Sequence, residues 1–275
     1  MSGLSGSTRI RAISFDFGNT LCPVRHEDLA RTVAETSAWM SARSGPFDSE
    51  LFRRIWAEER DRQLAEEVAE LREMVLPARL VRVLARLRGM PAPAPGTRWD
   101  AAAAATLSDP HKIYEAAAAY SAAFVRAIPP QPEVRSLLER LSGERRLAIL
   151  SNWPLTAAIE TYVDAAGWRP FLAAIVVSER VGVIKPHPRI FLAAEEALGE
   201  PGASILHVGD DWAADVVGAT RAGWHAAYLR GRQHGSPLPG STRDESVVPE
   251  IELDSLEELE PALAAFEAVE PAPGG

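Results

Sequence analysis

The chain has 275 residues, a net charge of -9 at neutral pH, 47% hydrophobic residues and 24% charged ones. This is ordinary globular composition, enough for one large domain or two, and its acidic balance supplies no basic stripe for a nucleic-acid backbone. The single cysteine, Cys22, excludes an internal disulfide framework and a cysteine-based zinc site, suits a reducing cytoplasm, and reads as a small buried hydrophobe.

Residues 1–7 lack the apolar segment of a signal peptide and read as a frayed tail. No stretch reaches the roughly 18 apolar residues that a membrane-spanning helix needs. Ile10, Ala12, Ile13, Phe15 and Phe17 form a run too short for a helix and apolar on both faces, which predicts a buried strand that ends near Asp16. A Gly18-Asn19 turn follows. Gly18 supplies conformational freedom, Asn19 tolerates a left-handed backbone and Thr20 adds a hydroxyl donor.

The next hundred residues are helical in pattern. His26 to Ala42 carries apolar positions at Leu29, Val33, Ala34 and Trp39. Asp48 is placed to cap a second helix with Leu51, Phe52, Ile55 and Trp56 on one face. The charges Glu58, Glu59, Arg60, Asp61 and Arg62 read as a solvated face. Leu71 to Leu87 continues the pattern, with Pro77 kinking it or starting a new helix. After the breaker cluster Pro91 to Gly96, Trp99 to Leu107 and His111 to Ala127 read as alanine-rich helices.

Pro129, Pro130 and Pro132 return the chain to alternation. Helices are predicted at Glu133 to Leu141, Leu155 to Ala166, Arg189 to Leu198 and Trp212 to Ala222. They alternate with strands at Leu147 to Ser151, Leu172 to Ser178, Ser204 to Val208 and His225 to Leu229. Such alternation means right-handed βαβ units and a parallel sheet. Gly231 to Glu245 reads as a loop, Leu256 to Phe266 as a last helix and Glu267 to Gly275 as a frayed end. No internal repeat is present.

Chemistry-bearing residues recur at the ends of these strands: Asp16 and Thr20, then Ser151 and Asn152, then Lys185 in Ile184-Lys185-Pro186, then Gly209-Asp210-Asp211 with Asp215. As an ordered set they resemble the four motifs of the haloacid dehalogenase (HAD) superfamily. The resemblance covers the first motif and about the last half of the chain. It implies an α/β fold, a doubly wound parallel Rossmann-like sheet, with an all-helical cap of the C1 type inserted after the first strand. The core is then residues 8–22 and 129–266, the cap 23–128, and the tails 1–7 and 267–275.

For the site, the resemblance implies that Asp16 is a nucleophile forming an aspartyl-phosphate. Mg²⁺ would be held by Asp16, the backbone carbonyl of Gly18, Asp210 and Asp215. Thr20 and Ser151 would donate to the phosphoryl group with Asn152 beside them, and Lys185 would neutralise charge and tie down Asp16. Asp211 is left between a metal role and a helix cap. The expected activity is that of a phosphatase on a small phosphorylated metabolite, by a monomer or homodimer, without nucleic acid or membrane.

One position departs from the pattern: most phosphatases of the superfamily carry a general-acid Asp where this chain has Gly18. Dehalogenases of the superfamily also lack that acid, and a phospho-ligand-binding pseudoenzyme would tolerate its loss. The dehalogenase reading is weakened by the acidic pair beside Asp16, whose repulsion calls for a cation. Arg25, His26 and Trp153 are placed near the pocket mouth. His187, His207 and His225 are too scattered to be ligands, and His207 reads as a core residue.

Overall fold

The computed structural model describes residues 9–231 and 236–268; the expected tails at 1–7 and 269–275 lie outside the described residues. In chain order the elements are β1 (Ala12–Phe15), α1 (His26–Ser44), α2 (Ser49–Glu67), α3 (Leu76–Leu87), α4 (Ala101–Thr106), α5 (Pro110–Ala127) and α6 (Pro132–Ser142). They continue with β2 (Arg146–Ser151), α7 (Thr156–Ala165), β3 (Ala174–Val177), α8 (Ser178–Val181), α9 (Pro188–Leu198) and β4 (Ile205–Gly209). A π-helical turn (Trp212–Val217) then runs into α10 (Gly218–Arg221), β5 (His225–Leu229), β6 (Ile251–Leu253) and α11 (Leu259–Ala268).

The six strands form one sheet in the order β3-β2-β1-β4-β5-β6, and every pairing is parallel. The chain winds outward from β1 to β3, then returns to start β4 on the other side of β1. This reversal opens a crevice at the C-terminal ends of β1 and β4, the place where open α/β sheets bind ligands. Asp16 and Asp210 are the first residues beyond those two ends.

Strand alternation explains the two cores. Ile13 and Phe15, with Leu147, Ile149, Leu206 and Val208, point to one face and join the larger apolar cluster, which includes α5, α6 and α7. Ala12, Ala148, Leu150 and Ile205 point to the other face, against Ile190, Phe191 and Trp224. All four residues of β1 are fully buried, as a central parallel strand requires.

Helices α1 to α5 form the insertion after β1. Asp48 caps α2 by accepting from the N–H groups of Glu50 and Leu51 at 2.7 and 3.3 Å. Pro77 begins α3 and does not kink a longer helix, so residues 71–75 stay outside it. The expectation of a solvated face at 58–62 fails at Glu59. That carboxylate is fully buried and accepts from Arg86 at 2.9 Å and from the Trp99 indole at 3.0 Å.

The insertion is tied to the core by main-chain bonds from Ile184 N–H to Leu71 O (2.9 Å) and from Leu76 N–H to Pro154 O (2.8 Å). Phe124 of α5 packs on Trp153, with ring centroids 5.3 Å apart.

Two further features differ from expectation. Strand β6 had no signal, because Ile251-Glu252-Leu253 is too short for its alternation to stand out. The C-terminal helix runs through Glu267 and Ala268, which were expected to fray. Glu267 accepts from Ile10 N–H at 2.9 Å and pairs with Arg145 at 3.0 Å. The described part of 231–245 is loop, as expected.

Candidate active site

Asp16 leaves β1 with its N–H donating to Val208 O at 2.8 Å, so the sheet itself sets its position. Asn19 takes the left-handed conformation expected of it (φ 60°). Gly18 does not need positive φ. Its small size matters because an added Cβ would lie 2.6 Å from Leu238 Cδ1 and 3.3 Å from Trp153 Cζ3. Thus space, not backbone freedom, limits position 18, and a side chain there requires the end of Leu238 to shift.

Lys185 is the hub. Its ammonium is buried and spends its three N–H donors on Asp16 Oδ1 at 2.8 Å, Asp215 Oδ1 at 2.7 Å and Leu150 O at 2.7 Å. Asn152 clamps the backbone of the same residue. Its Oδ1 accepts from Lys185 N–H at 2.7 Å and its Nδ2 donates to Lys185 O at 3.1 Å. The amide expected on the substrate is therefore engaged on the lysine's main chain.

Asp215 accepts from Lys185 and, at 3.1 Å, lies against His207 Nε2, while its Oδ2 accepts from Asp211 N–H at 2.9 Å. Gly209 leaves room for this carboxylate, since a Cβ there would fall 2.2 Å from its Cγ. His207, fully buried, reaches Ser14 Oγ with Nδ1 at 3.1 Å. It is a core residue, as expected, yet it is also a support of the site that sequence patterning missed. An isolated histidine in a strand carries no signal of its partners.

The electrostatics follow from burial. Desolvation lifts the Asp16 carboxyl to about 6, against the pull of Lys185. Burial would also raise Asp215, but Lys185 and His207 outweigh it and hold this carboxyl below the usual range. Burial opposes the Lys185 charge, and the two carboxylates more than restore it. His207 is kept neutral first by burial and then by the Lys185 ammonium.

Asp16, Asp210 and Asp215 each offer a ligand oxygen, all within 4.8 Å of one another. Three carboxylates around one ammonium leave negative charge uncompensated, and the donor set is all oxygen, so the cluster fits a hard divalent cation. Asp211 caps the π-helical turn through Ala214 N–H (2.8 Å) and accepts from Ser241 N–H (2.7 Å), which anchors the 236–241 loop over the site.

Thr20 Oγ1 and Ser151 Oγ are buried without a hydrogen-bond partner among the described residues. Ser151, at the end of β2, lines the site cavity, whereas Thr20, in the turn after β1, does not.

Asp16, Gly18, Ser151, Asn152, Lys185, Asp210 and Asp215 line one cavity of about 340 Å³, closed on the other side by Leu64, Met74, Arg79 and Tyr120 of the insertion. Trp153 lines it as expected, whereas Arg25 and His26 do not. Arg25 instead pairs with Asp28 at 2.8 Å. His187 caps α9, accepting from Arg189 N–H at 3.2 Å, and His225 lies 3.1 Å from Glu250, so neither joins the site.

The sheet order, the crevice and this acidic cluster around one lysine define a hydrolase-type α/β site, and residues 10–223 match the family model for haloacid dehalogenase-like hydrolases. The chain belongs to that family. It is 31% identical over 156 residues to the pyrimidine 5'-nucleotidase YjjG of Escherichia coli (strain K12), covering 56% of this chain and 64% of that protein. It is 30% identical over 153 residues to a glyceraldehyde 3-phosphate phosphatase of Methanopyrus kandleri, covering 55% and 64%. The chain thus spans less than two thirds of either relative's length. A 2-haloacid dehalogenase structure from Pseudomonas syringae pv. Tomato DC3000 superposes with TM-score 0.66 at 23% identity, covering 94% of this chain and 99% of that one, a likeness of fold. Among the described residues no helix is long and apolar enough to cross a membrane.

Proposed function

We propose that the chain is a Mg²⁺-dependent phosphatase that acts on a small phosphorylated metabolite through an aspartyl-phosphate on Asp16. The observation that supports this most is the cluster of Asp16, Asp210 and Asp215 around a single buried lysine. Without a cation this arrangement is self-repelling, and with one it can receive a phosphate dianion.

Mg²⁺, held by Asp16, Asp210 and the Gly18 carbonyl with Asp215 behind them, would supply positive charge for the phosphoryl oxygens. The chain's own residues do the rest. An Asp16 carboxylate oxygen attacks phosphorus, the ester oxygen leaves, and water then cleaves the acyl-phosphate to regenerate Asp16. Thr20 and Ser151 donate their unpaired hydroxyls to the transferred group. Lys185 holds Asp16 in place and offsets charge on the phosphoryl oxygens. Asn152 and the His207–Asp215 pair keep that lysine oriented, so both are positioning residues.

The dehalogenase reading draws on Gly18, since a halide leaves without a proton. The three-carboxylate cluster argues against it, because such displacement needs no cation and gains nothing from the extra charge.

The test is turnover of p-nitrophenyl phosphate and a panel of phosphorylated metabolites with Mg²⁺ or EDTA, beside chloride release from 2-chloropropionate. Activity lost in EDTA, restored by Mg²⁺ and abolished in Asp210→Asn is expected. Chloride release that persists in EDTA would favour the dehalogenase, and no turnover of any compound would favour the pseudoenzyme.

A further inference from the structure

Arg79 sits in the first turns of α3 and lines the same cavity as Asp16, yet it is only 5% exposed. Its Nε donates to Gln63 Oε1 at 2.8 Å, and its guanidinium lies 5.4 Å over the Trp56 ring. Gln63 is itself fixed by donating to Val75 O at 3.2 Å. Beyond these, no described residue accepts a hydrogen bond from the two terminal nitrogens, and no described carboxylate lies within ion-pair distance.

Its neighbours on the helix behave differently. Arg82 pairs with Glu66 at 3.4 Å and Arg86 with Glu59 at 2.9 Å. The carboxylate closest in kind within the cavity, Glu73, has both oxygens engaged, one by Met74 N–H and one by the Ser178 hydroxyl.

Glu73 is near enough for its charge to favour the Arg79 cation but forms no ion pair with it. A buried cation so incompletely compensated is costly, which suits a site where a partner anion arrives from outside. Burial lowers the Arg79 pKa only to about 10, which leaves it charged at neutral pH. Tyr120 of α5, 6% exposed, lines the same wall. Trp56 stacks on its ring at 6.1 Å, so one indole orients both polar groups.

We propose that Arg79 and Tyr120 form a second subsite on the insertion side of the cavity that binds an anionic group carried by the substrate in addition to its scissile phosphate. The substrate class is a phosphate monoester bearing a carboxylate or a second phosphoryl group. The planar guanidinium offers parallel N–H donors to either anion, and the phenol adds a third. Lys185 and the acidic cluster handle the transferred phosphoryl, and Arg79 selects what is attached to it. The inference rests on the phosphatase reading.

The experiment uses the full chain with Mg²⁺ and three aryl phosphates of similar leaving group: 4-ethylphenyl, 4-(carboxymethyl)phenyl and 4-(phosphonomethyl)phenyl phosphate. Wild type should favour an anionic ester over the ethyl ester in kcat/KM by at least about 30-fold, the lower end for a desolvated charge pair. The favoured ester identifies carboxylate or phosphoryl. Arg79→Met should bring that ratio close to one, chiefly through KM, while Arg79→Lys retains part of it and Tyr120→Phe lowers it less.

Thermal melts establish that each variant is folded, and the lysine and phenylalanine variants carry the test if the methionine variant is not. No preference in wild type, or equal losses on all three esters, overturns the subsite. If wild type turns over none of the three, the phosphatase reading fails instead. Calorimetry with phenylacetate and benzylphosphonate then decides the subsite: Arg79-dependent binding supports it and no binding overturns it.

Discussion

Leu238 fills the space into which a side chain at Gly18 would project, its Cδ1 standing 2.6 Å from the position of an added Cβ. On the phosphatase reading proposed above, the position expected to carry a general acid is instead covered by an apolar contact from the 236–241 loop. With no acid there, the leaving oxygen must depart as an anion or take its proton from water or substrate. Turnover should fall steeply as the leaving group becomes less acidic, with aryl phosphates far ahead of alkyl phosphates of equal size.

Gly18→Asp alone should not restore an acid, since it must displace Leu238. Moving the end of this loop side chain should cost no more than the roughly 1–3 kcal/mol of overpacking a core, visible as a lower melting temperature. Gly18→Asp with Leu238→Ala should recover stability and raise alkyl-phosphate rates selectively. Kinetics over a leaving-group series decide the point, and a wild-type chemical step indifferent to leaving-group acidity contradicts it.

Asn152 holds Lys185 by both of its main-chain polar groups. Asn152→Ala should lower kcat by roughly 10²-fold with a smaller change in KM, since small misplacements of a catalytic group have effects of that order. If KM rises and kcat holds, Asn152 contacts substrate directly, as the motif alone suggested.

Much of the site was legible because parallel strands deliver their C-terminal residues to one edge. Asp16, Ser151 and Asp210 each follow or close an apolar run, and the ordered motif marked Lys185 between them. His207, Arg79 and Leu238 were not legible. Their places depend on which faces meet after folding, and a lone histidine in a strand, an arginine on an amphipathic helix or a leucine in a loop reads the same whether it serves a site or not. Glu59 misled for the same reason, since its burial depends on Arg86 and Trp99, which lie far along the chain. Strand β6 was lost to its brevity.

Glu73 gives a pH signature outside the catalytic cluster. Burial raises its carboxyl above the ordinary 4.5, and bonds from Ser178 and Met74 N–H together with the Arg79 charge only partly offset this. A carboxyl raised in the folded state contributes its stability below the unfolded value and loses it as pH rises through the folded one. The stability of Glu73→Gln relative to wild type should therefore increase as pH rises above about 4.5. Denaturant melts of both proteins across that range measure it, and a difference independent of pH would show that Glu73 ionises normally.

The central claim, that Asp16 is the nucleophile, is tested most directly by rapid mixing with a fast aryl phosphate and Mg²⁺, acid quench and peptide mass mapping. A single phosphoryl group should appear on the peptide containing Asp16 within one turnover, decay with product phosphate, and be absent in Asp16→Asn, which should be folded and inactive. Steady turnover with Asp16 never modified, or activity retained by Asp16→Asn, would contradict the account.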